Sequence, residues 1–362
     1  MGDFGEVTVV SPQALGLLAG VALLGWVMWW RGRRRPVTSG RLAFARRSGV
    51  RLALALALTV TSLASGVNAY FSYLPKISDV VDAAGGASVP AAAKVLDHPH
   101  EHRHGVLMRL TTPGPVQGFR RASALVWLPP QYFTEPTARF DVVYLMHGSP
   151  GVSKDWFRGG EAARIGGRLA ADGKPVIMVA PRLSRGWLDD SECVDGRSEQ
   201  VETQFVDGVI PQVDRSLRTV ADRQGRIFAG MSAGGYCALN LGLRHRNLTA
   251  TILDLSGLTG PTHAGGDRAL FGAGAAADTR ANSPADYAAG LPAFPATRIW
   301  MDCGSGDHEV LAEMRALAPV LRSRGIPVVL NTRPGAHTFS VWRPALQESL
   351  AWALGGSSAA AE

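Results

Sequence analysis

Arg226-Ile227-Phe228-Ala229-Gly230-Met231-Ser232-Ala233-Gly234-Gly235-Tyr236-Cys237-Ala238-Leu239-Asn240-Leu241 decides the fold. A short apolar run leads into Gly-Met-Ser-Ala-Gly, and a helix-forming run leaves it, which is the strand-turn-helix setting that G-x-S-x-G requires. So tight a turn leaves no room for a side chain at 230 or 234, so glycine is expected there on steric grounds. Ser232 Oγ then stands at the carboxyl end of a strand, over the positive end of the following helix.

A serine hydroxyl is a weak nucleophile and needs a base and an orienting acid. Both follow in the order Ser, Asp, His. Residues 297–303 read as a buried strand that ends in Gly304-Ser305-Gly306-Asp307-His308, and residues 327–331 as the next strand, followed by Arg333-Pro334-Gly335-Ala336-His337. Two loops after consecutive strands lie at the sheet edge where open parallel sheets build their sites. Asp307 is the expected acid because it lies on the loop, whereas Asp302 lies within the strand and reads as a hydrogen-bonded residue near its end. His337 is the expected base. His308, beside Asp307, reads as the opening of the helix over 309–321.

An oxyanion needs two backbone N–H groups. Ala233, next to the nucleophile, is one. The strand over 140–146 runs into His147-Gly148-Ser149-Pro150-Gly151; Pro150 has no N–H, so Ser149 is the expected second donor, with Gly148 behind it. The remaining pattern is α/β: an antiparallel pair at 106–110 and 123–128, further core strands at 175–180 and 249–255, and helices at 160–173, 205–217, 235–244, 309–325 and 342–354. Residues 257–293, rich in alanine, glycine and proline, read as an irregular lid over Ser232. Trp156, Trp187 and Trp342 are candidates to line the cleft.

From about residue 105 to 354 the chain resembles the esterase branch of the α/β-hydrolases, which includes esterase D, feruloyl esterases and cell-wall mycolyltransferases. The resemblance rests on Val126-Trp127-Leu128-Pro129-Pro130-Gln131-Tyr132-Phe133, His147-Gly148-Ser149-Pro150-Gly151, the Ser232 elbow, Gly304-Ser305-Gly306-Asp307 and Gly335-Ala336-His337. It implies an α/β-hydrolase fold with a mostly parallel central sheet and a serine carboxylic-ester hydrolase with Ser232, Asp307 and His337 as its triad. Mycolyltransferases place a glutamate where Asp307 stands, so the resemblance is nearer to the esterase members. Acyl transfer to a glycan or lipid hydroxyl is the alternative activity. A non-catalytic hydrolase-fold binding protein is the competing class, against which stands a complete triad.

The first 75 residues differ in kind. Residues 7–30 and 52–75 carry no charge over 24 residues each, long enough to cross an apolar core of about 30 Å. Between them lie Arg31, Arg33, Arg34, Arg35, Arg41, Arg46 and Arg47 without an acid. Arginine-rich short loops stay in the cytoplasm, so both flanks, and the domain that follows, are expected outside. Of the chain's net charge of +7, eight arginines against Asp3 and Glu6 place +6 in this segment. The high pI is therefore a topology signal, and no nucleic-acid partner is expected. Arg46-Arg47, the apolar run and Val67-Asn68-Ala69 also fit an export signal with a cleavage site; either way the domain is extracytoplasmic. The expected organisation is a membrane anchor over 1–75 with two transmembrane helices, a linker over 76–104, a catalytic domain over 105–355 and a tail over 356–362. The expected partners are the membrane and an envelope ester, lipid or glycan.

His98-Pro99-His100-Glu101-His102-Arg103-His104 alternates as a cation site would, but proline and arginine interrupt it and no second ligand cluster accompanies it. No metal or cofactor is expected. Of three cysteines, Cys303 reads as a core strand residue, and Cys193 with Cys237 can form a disulfide that staples a loop beside the elbow.

Overall fold

The computed structural model describes residues 12–33, 41–74, 88–98, 104–112, 114, 116, 119, 122–292 and 296–355. Eight strands form one sheet in the order β1-β2-β4-β3-β5-β6-β7-β8. They are β1 (Val106–Thr111), β2 (Ser123–Leu128), β3 (Asp141–Met146), β4 (Val176–Ala180), β5 (Arg226–Met231), β6 (Thr251–Leu255), β7 (Arg298–Gly304) and β8 (Val328–Arg333). β1, β2 and β4 pair antiparallel, and every pairing from β4 to β8 is parallel. The sequence explains the split. β4, β5 and β6 are buried at every position, as strands covered on both faces are, whereas β1 alternates in its outer half.

The order reverses at β3, whose neighbours are β4 on one side and β5 on the other. Loops leaving β3 and β5 therefore diverge and leave a crevice between their carboxyl ends, where ligands of open α/β sheets bind. Residues 147–151 follow β3 and Ser232 follows β5, so chain topology alone brings them together. Beneath them, Tyr144 of β3, Phe228 of β5 and Phe205 stack edge-to-face with ring centroids 5.2 to 5.8 Å apart. Phe205 belongs to a π-helical turn, Gln204–Val209, that runs into α4 (Ile210–Ser216), in place of the single helix expected at 205–217.

Two helices, α1 (Pro12–Arg33) and α2 (Arg41–Phe71), form a unit of their own within residues 1–87, and residues 88–362 form the second. Within the first, Ala22 and Ala55 are buried where the helices meet. Trp26 Nε1 donates to Thr59 Oγ1 at 2.9 Å and Ser62 Oγ to the Leu18 carbonyl at 3.1 Å. The expected span at 52–75 moves: the apolar helix of membrane-crossing length is Ser48–Phe71. It ends where Asn68 turns the chain, accepting from Leu74 N–H at 2.7 Å and donating to its carbonyl. The expected span at 7–30 shortens among the described residues to an apolar stretch at Leu15–Arg31.

The expected linker over 76–104 needs the same kind of correction. α3 (Ala92–Leu96) is a short helix, Val95 is buried, and Arg109 N–H bonds the Pro90 carbonyl at 2.7 Å, so the second unit begins near residue 88. Alanine-rich sequence hid this, because Val95 and Leu96 are the apolar anchors that follow a run of alanines. Of the histidine-rich run, residues 99–103 lie outside the described residues, and His98 bonds the Lys94 carbonyl.

Cys193 and Cys237 are joined by a disulfide across 44 residues. Closing a loop of that length restricts the unfolded chain by about 4 kcal/mol. Reduction, or the Cys193→Ala/Cys237→Ala pair, should lower unfolding free energy by 2–4 kcal/mol in denaturant titration; wild type and the double variant should converge in reductant.

Candidate active site

Ser232 closes β5 with φ 56°, a left-handed conformation that a serine adopts only where its surroundings impose it. Its N–H donates to the Leu255 carbonyl of β6 at 2.9 Å. Its own carbonyl accepts from Gly235 N–H at 2.7 Å, which starts α5 (Ala233–Arg244). A Cβ on Gly230 would overlap the Gly234 carbonyl, and one on Gly234 the Met146 carbonyl, so both glycines are steric necessities.

Asp307 follows β7 and precedes α6 (His308–Ser323), which His308 opens away from Ser232. His337 follows β8 and precedes α7 (Phe339–Ala353). The two loops interlock through backbone: Ser305 N–H bonds the Arg333 carbonyl and Gly306 N–H the Gly335 carbonyl, both at 2.7 Å. A Cβ on Gly304 would lie 2.5 Å from the Gly335 carbonyl oxygen, so this approach too needs glycine. The interlock sets Asp307 Oδ2 2.5 Å from His337 Nδ1, while His337 Nε2 lies 2.7 Å from Ser232 Oγ. Trp342 of α7 meets the His337 ring edge-to-face at 4.9 Å and limits its rotation.

Asp302 is engaged elsewhere. It is fully buried and accepts from Arg333 Nε at 2.7 Å, Arg333 Nη2 at 2.5 Å and Asn331 Nδ2 at 2.9 Å. That pairing ties β7 to β8 just before the loops that carry Asp307 and His337.

A cavity of about 100 Å³ opens on Ser232 and His337, lined also by Ser149, Ala233, Asp190, Glu192 and Thr262. Among the described residues, neither Ser149 N–H nor Ala233 N–H has an acceptor within the chain. His147, behind this loop, is buried, and burial lowers its pKa. Neutral, it bonds the Gly148 carbonyl at 3.0 Å through Nδ1 and leaves Nε2 to accept from Leu183 N–H at 3.4 Å.

The expected lid over 257–293 is more regular than its composition suggests, with helices Asp267–Phe271, Ala275–Ala281 and Pro284–Tyr287. It is held at its base. Glu313 accepts from Thr259 N–H and Oγ1 at 2.8 and 2.9 Å, and Tyr236 Oη donates to the Asn282 carbonyl at 2.7 Å. Of the three tryptophans expected at the cleft, only Trp342 touches the site. Trp156 is core, donating to the Met146 carbonyl at 2.9 Å, and Trp187 is exposed to solvent.

Glu192 carries no sequence signal and is nonetheless in the cavity wall. The disulfide at Cys193 and left-handed backbone at both residues turn it inward, where it accepts from Thr262 N–H at 2.6 Å. Burial first, and Asp190 second, push its pKa up to about 7. Asp254, beneath the elbow, is fully buried and accepts from Gly257 N–H at 2.8 Å; burial pushes it up to about 7.

Residues 120–353 match the family described as Putative esterase. The chain belongs to that esterase family. It is 26% identical over 259 residues to an uncharacterized protein of Corynebacterium glutamicum, covering 67% of this chain and 59% of the relative. An esterase of Mycobacterium tuberculosis is 28% identical over 244 residues, 59% of this chain and 52% of its own length. The chain thus spans little more than half of these relatives. A solved ferulic acid esterase superposes with a TM-score of 0.61 at 24% identity, over 70% of this chain and 99% of its own, which shows the shared α/β-hydrolase fold.

Both raised carboxyls favour the neutral form in the folded state. Each therefore costs nothing below its unfolded pKa near 4 and removes stability as pH rises through about 7. Glu192→Gln and Asp254→Asn should each gain on wild type by on the order of 3 kcal/mol between pH 4.5 and pH 8 in unfolding titrations. A difference that does not change with pH would contradict the assignment.

Proposed function

We propose that this esterase-family chain is a membrane-anchored serine carboxylic-ester hydrolase whose triad is Ser232, His337 and Asp307. The observation that carries the reading is the continuous relay from Asp307 Oδ2 through both His337 nitrogens to Ser232 Oγ, 2.5 and 2.7 Å long. His337 takes the hydroxyl proton as Ser232 Oγ attacks the ester carbonyl carbon. Ser149 and Ala233 N–H groups, without an acceptor among the described residues, stabilise the resulting oxyanion. The C–O bond to the leaving alcohol then breaks, and His337 returns the proton to that alcohol. Water, deprotonated by the same histidine, cleaves the acyl-enzyme. Asp307 holds the ring with Nδ1 protonated and stabilises the imidazolium.

A cavity of about 100 Å³ has the volume of only a few waters, which favours a short acyl group beside Ser232 and disfavours a long-chain acyl transferase. Attachment to a membrane is supported by the Ser48–Phe71 helix and by the apolar side chains the hairpin turns outward, Leu17, Leu23, Leu63 and Val67 among them, each at least 60% exposed. An extracytoplasmic catalytic unit is supported by the arginines at 31–47 and by the Cys193–Cys237 disulfide, since such bonds persist in oxidising compartments. There the accessible substrates are esters of envelope lipids and glycans.

Fluorophosphonate should label the detergent-solubilised chain, and Ser232→Ala should abolish the label; wild type that folds and stays unlabelled would sink the reading. Asp307→Asn should lower kcat by roughly 10³- to 10⁴-fold with little change in KM. p-Nitrophenyl acetate should be cleaved with a kcat/KM at least about tenfold above the octanoate, as a cavity short of several methylenes requires.

A further inference from the structure

A second cavity, of about 320 Å³, lies on the outer side of the 147–153 loop, and its wall is basic: Arg109 of β1, Lys154, Arg182 and Arg185, with His147 and Ser184 between them. The acids nearby leave most of this charge standing. Glu199 pairs with Arg185 at 2.6 Å, and Asp189 is a weaker neighbour of the same guanidinium. Asp155 accepts from Val152 N–H at 2.7 Å. Among the described residues neither Arg109 nor Lys154 has a hydrogen-bonded or ion-paired acid. Arg182 donates to the Ser184 carbonyl at 2.8 Å and to the Arg185 carbonyl, contacts that orient a guanidinium without neutralising it. His147, neutral by burial, adds no charge.

The same loop carries a second, independent feature. Trp187 and Leu188 are 60% and 75% exposed, and among the described residues of the 88–362 unit no other large hydrophobic side chain is exposed to that degree. The Trp187 carbonyl accepts from Gly151 N–H at 3.0 Å, so the exposed pair is fastened to the loop that carries Ser149. Asp190, three residues past Trp187, already lines the Ser232 cavity. An exposed tryptophan-leucine pair beside uncompensated cations is what an interfacial anchor presents to a bilayer: the ring sits at headgroup level and the cations meet phosphate.

We propose that this rim is a docking surface for an anionic phospholipid bilayer, with Trp187 and Leu188 entering the interface and Arg109, Lys154 and Arg182 holding a headgroup phosphate in the second cavity. Docking there places the mouth of the Ser232 cavity at the lipid surface. The inference rests on the membrane attachment proposed above and is independent of the chemistry at Ser232.

The test uses the full chain with Leu188→Cys, labelled with an environment-sensitive NBD dye; Cys303 is buried and the other two cysteines are paired. The protein is reconstituted into nanodiscs of phosphatidylcholine alone and with 30% phosphatidylglycerol. Incorporation into both reports the anchor, and fluorophosphonate labelling of the same samples reports Ser232, so neither failure can be mistaken for failure of docking. The expected result is a blue-shifted emission about twofold brighter with phosphatidylglycerol, weakened in 0.5 M salt. In the Arg109→Ala/Lys154→Ala variant the difference between the two lipids should disappear. Identical emission in both lipids, or a response the double variant retains, overturns the proposal. Glycerol 3-phosphate titrated calorimetrically into the detergent-solubilised chain separates the two phosphate sources. Binding there without any response to phosphatidylglycerol overturns the lipid assignment in favour of a soluble phosphate ester.

Discussion

The left-handed backbone at Ser232 is the constraint on which the rest of the site depends. A serine at φ 56° is unfavourable by itself, and it persists because β5, β6 and α5 over-determine it. Ser232 N–H is taken by Leu255, its carbonyl starts α5, and the glycines on either side allow backbone to pass where a Cβ would collide with carbonyl oxygens. The strain is thus held by the part of the molecule least able to relax, the fully buried centre of a parallel sheet.

From that fixed point the other groups arrive by topology. β3 and β5 are neighbours at the reversal of strand order, which brings the 147–151 loop to Ser232. β7 and β8 are neighbours at the other end, and their loops interlock through Gly304, Gly306 and Gly335 before Asp307 and His337 meet. Asp302 and Arg333 hold the two strands in register just below. The buried ion pair therefore acts on the functional pair through geometry, at a distance of a few residues.

The disulfide links two aspects of the site that sequence separates by 44 residues. It joins Cys237, one turn into α5 from Ser232, to a loop that contributes Asp190 and Glu192 to the cavity wall. That loop continues from the basic rim with Trp187 and Leu188. The cavity-lining acids, the exposed hydrophobic pair and two arginines of the cationic pocket are therefore consecutive features of residues 182–193, braced against the same helix by the disulfide.

Local chemistry in the sequence was enough for the elbow, because G-x-S-x-G between an apolar strand and a helix admits few other conformations. It was enough, too, to place Asp307 and His337 on the loops after consecutive parallel strands, because loop position is readable from apolar runs. Composition marked the apolar N-terminal segment but not its limits, since Asn68 ends α2 through side-chain bonds that hydropathy does not register. Only the tertiary structure showed that residues 88–98 belong to the second unit, that the alanine-rich segment at 257–292 is helical and pinned by Glu313, and that Glu192 lines the Ser232 cavity. Each of those depends on a partner far along the chain. Local propensity sees only neighbours in sequence, whereas burial, ion pairing and the summed charge of a cavity are decided by which distant residues the fold brings within a few ångströms.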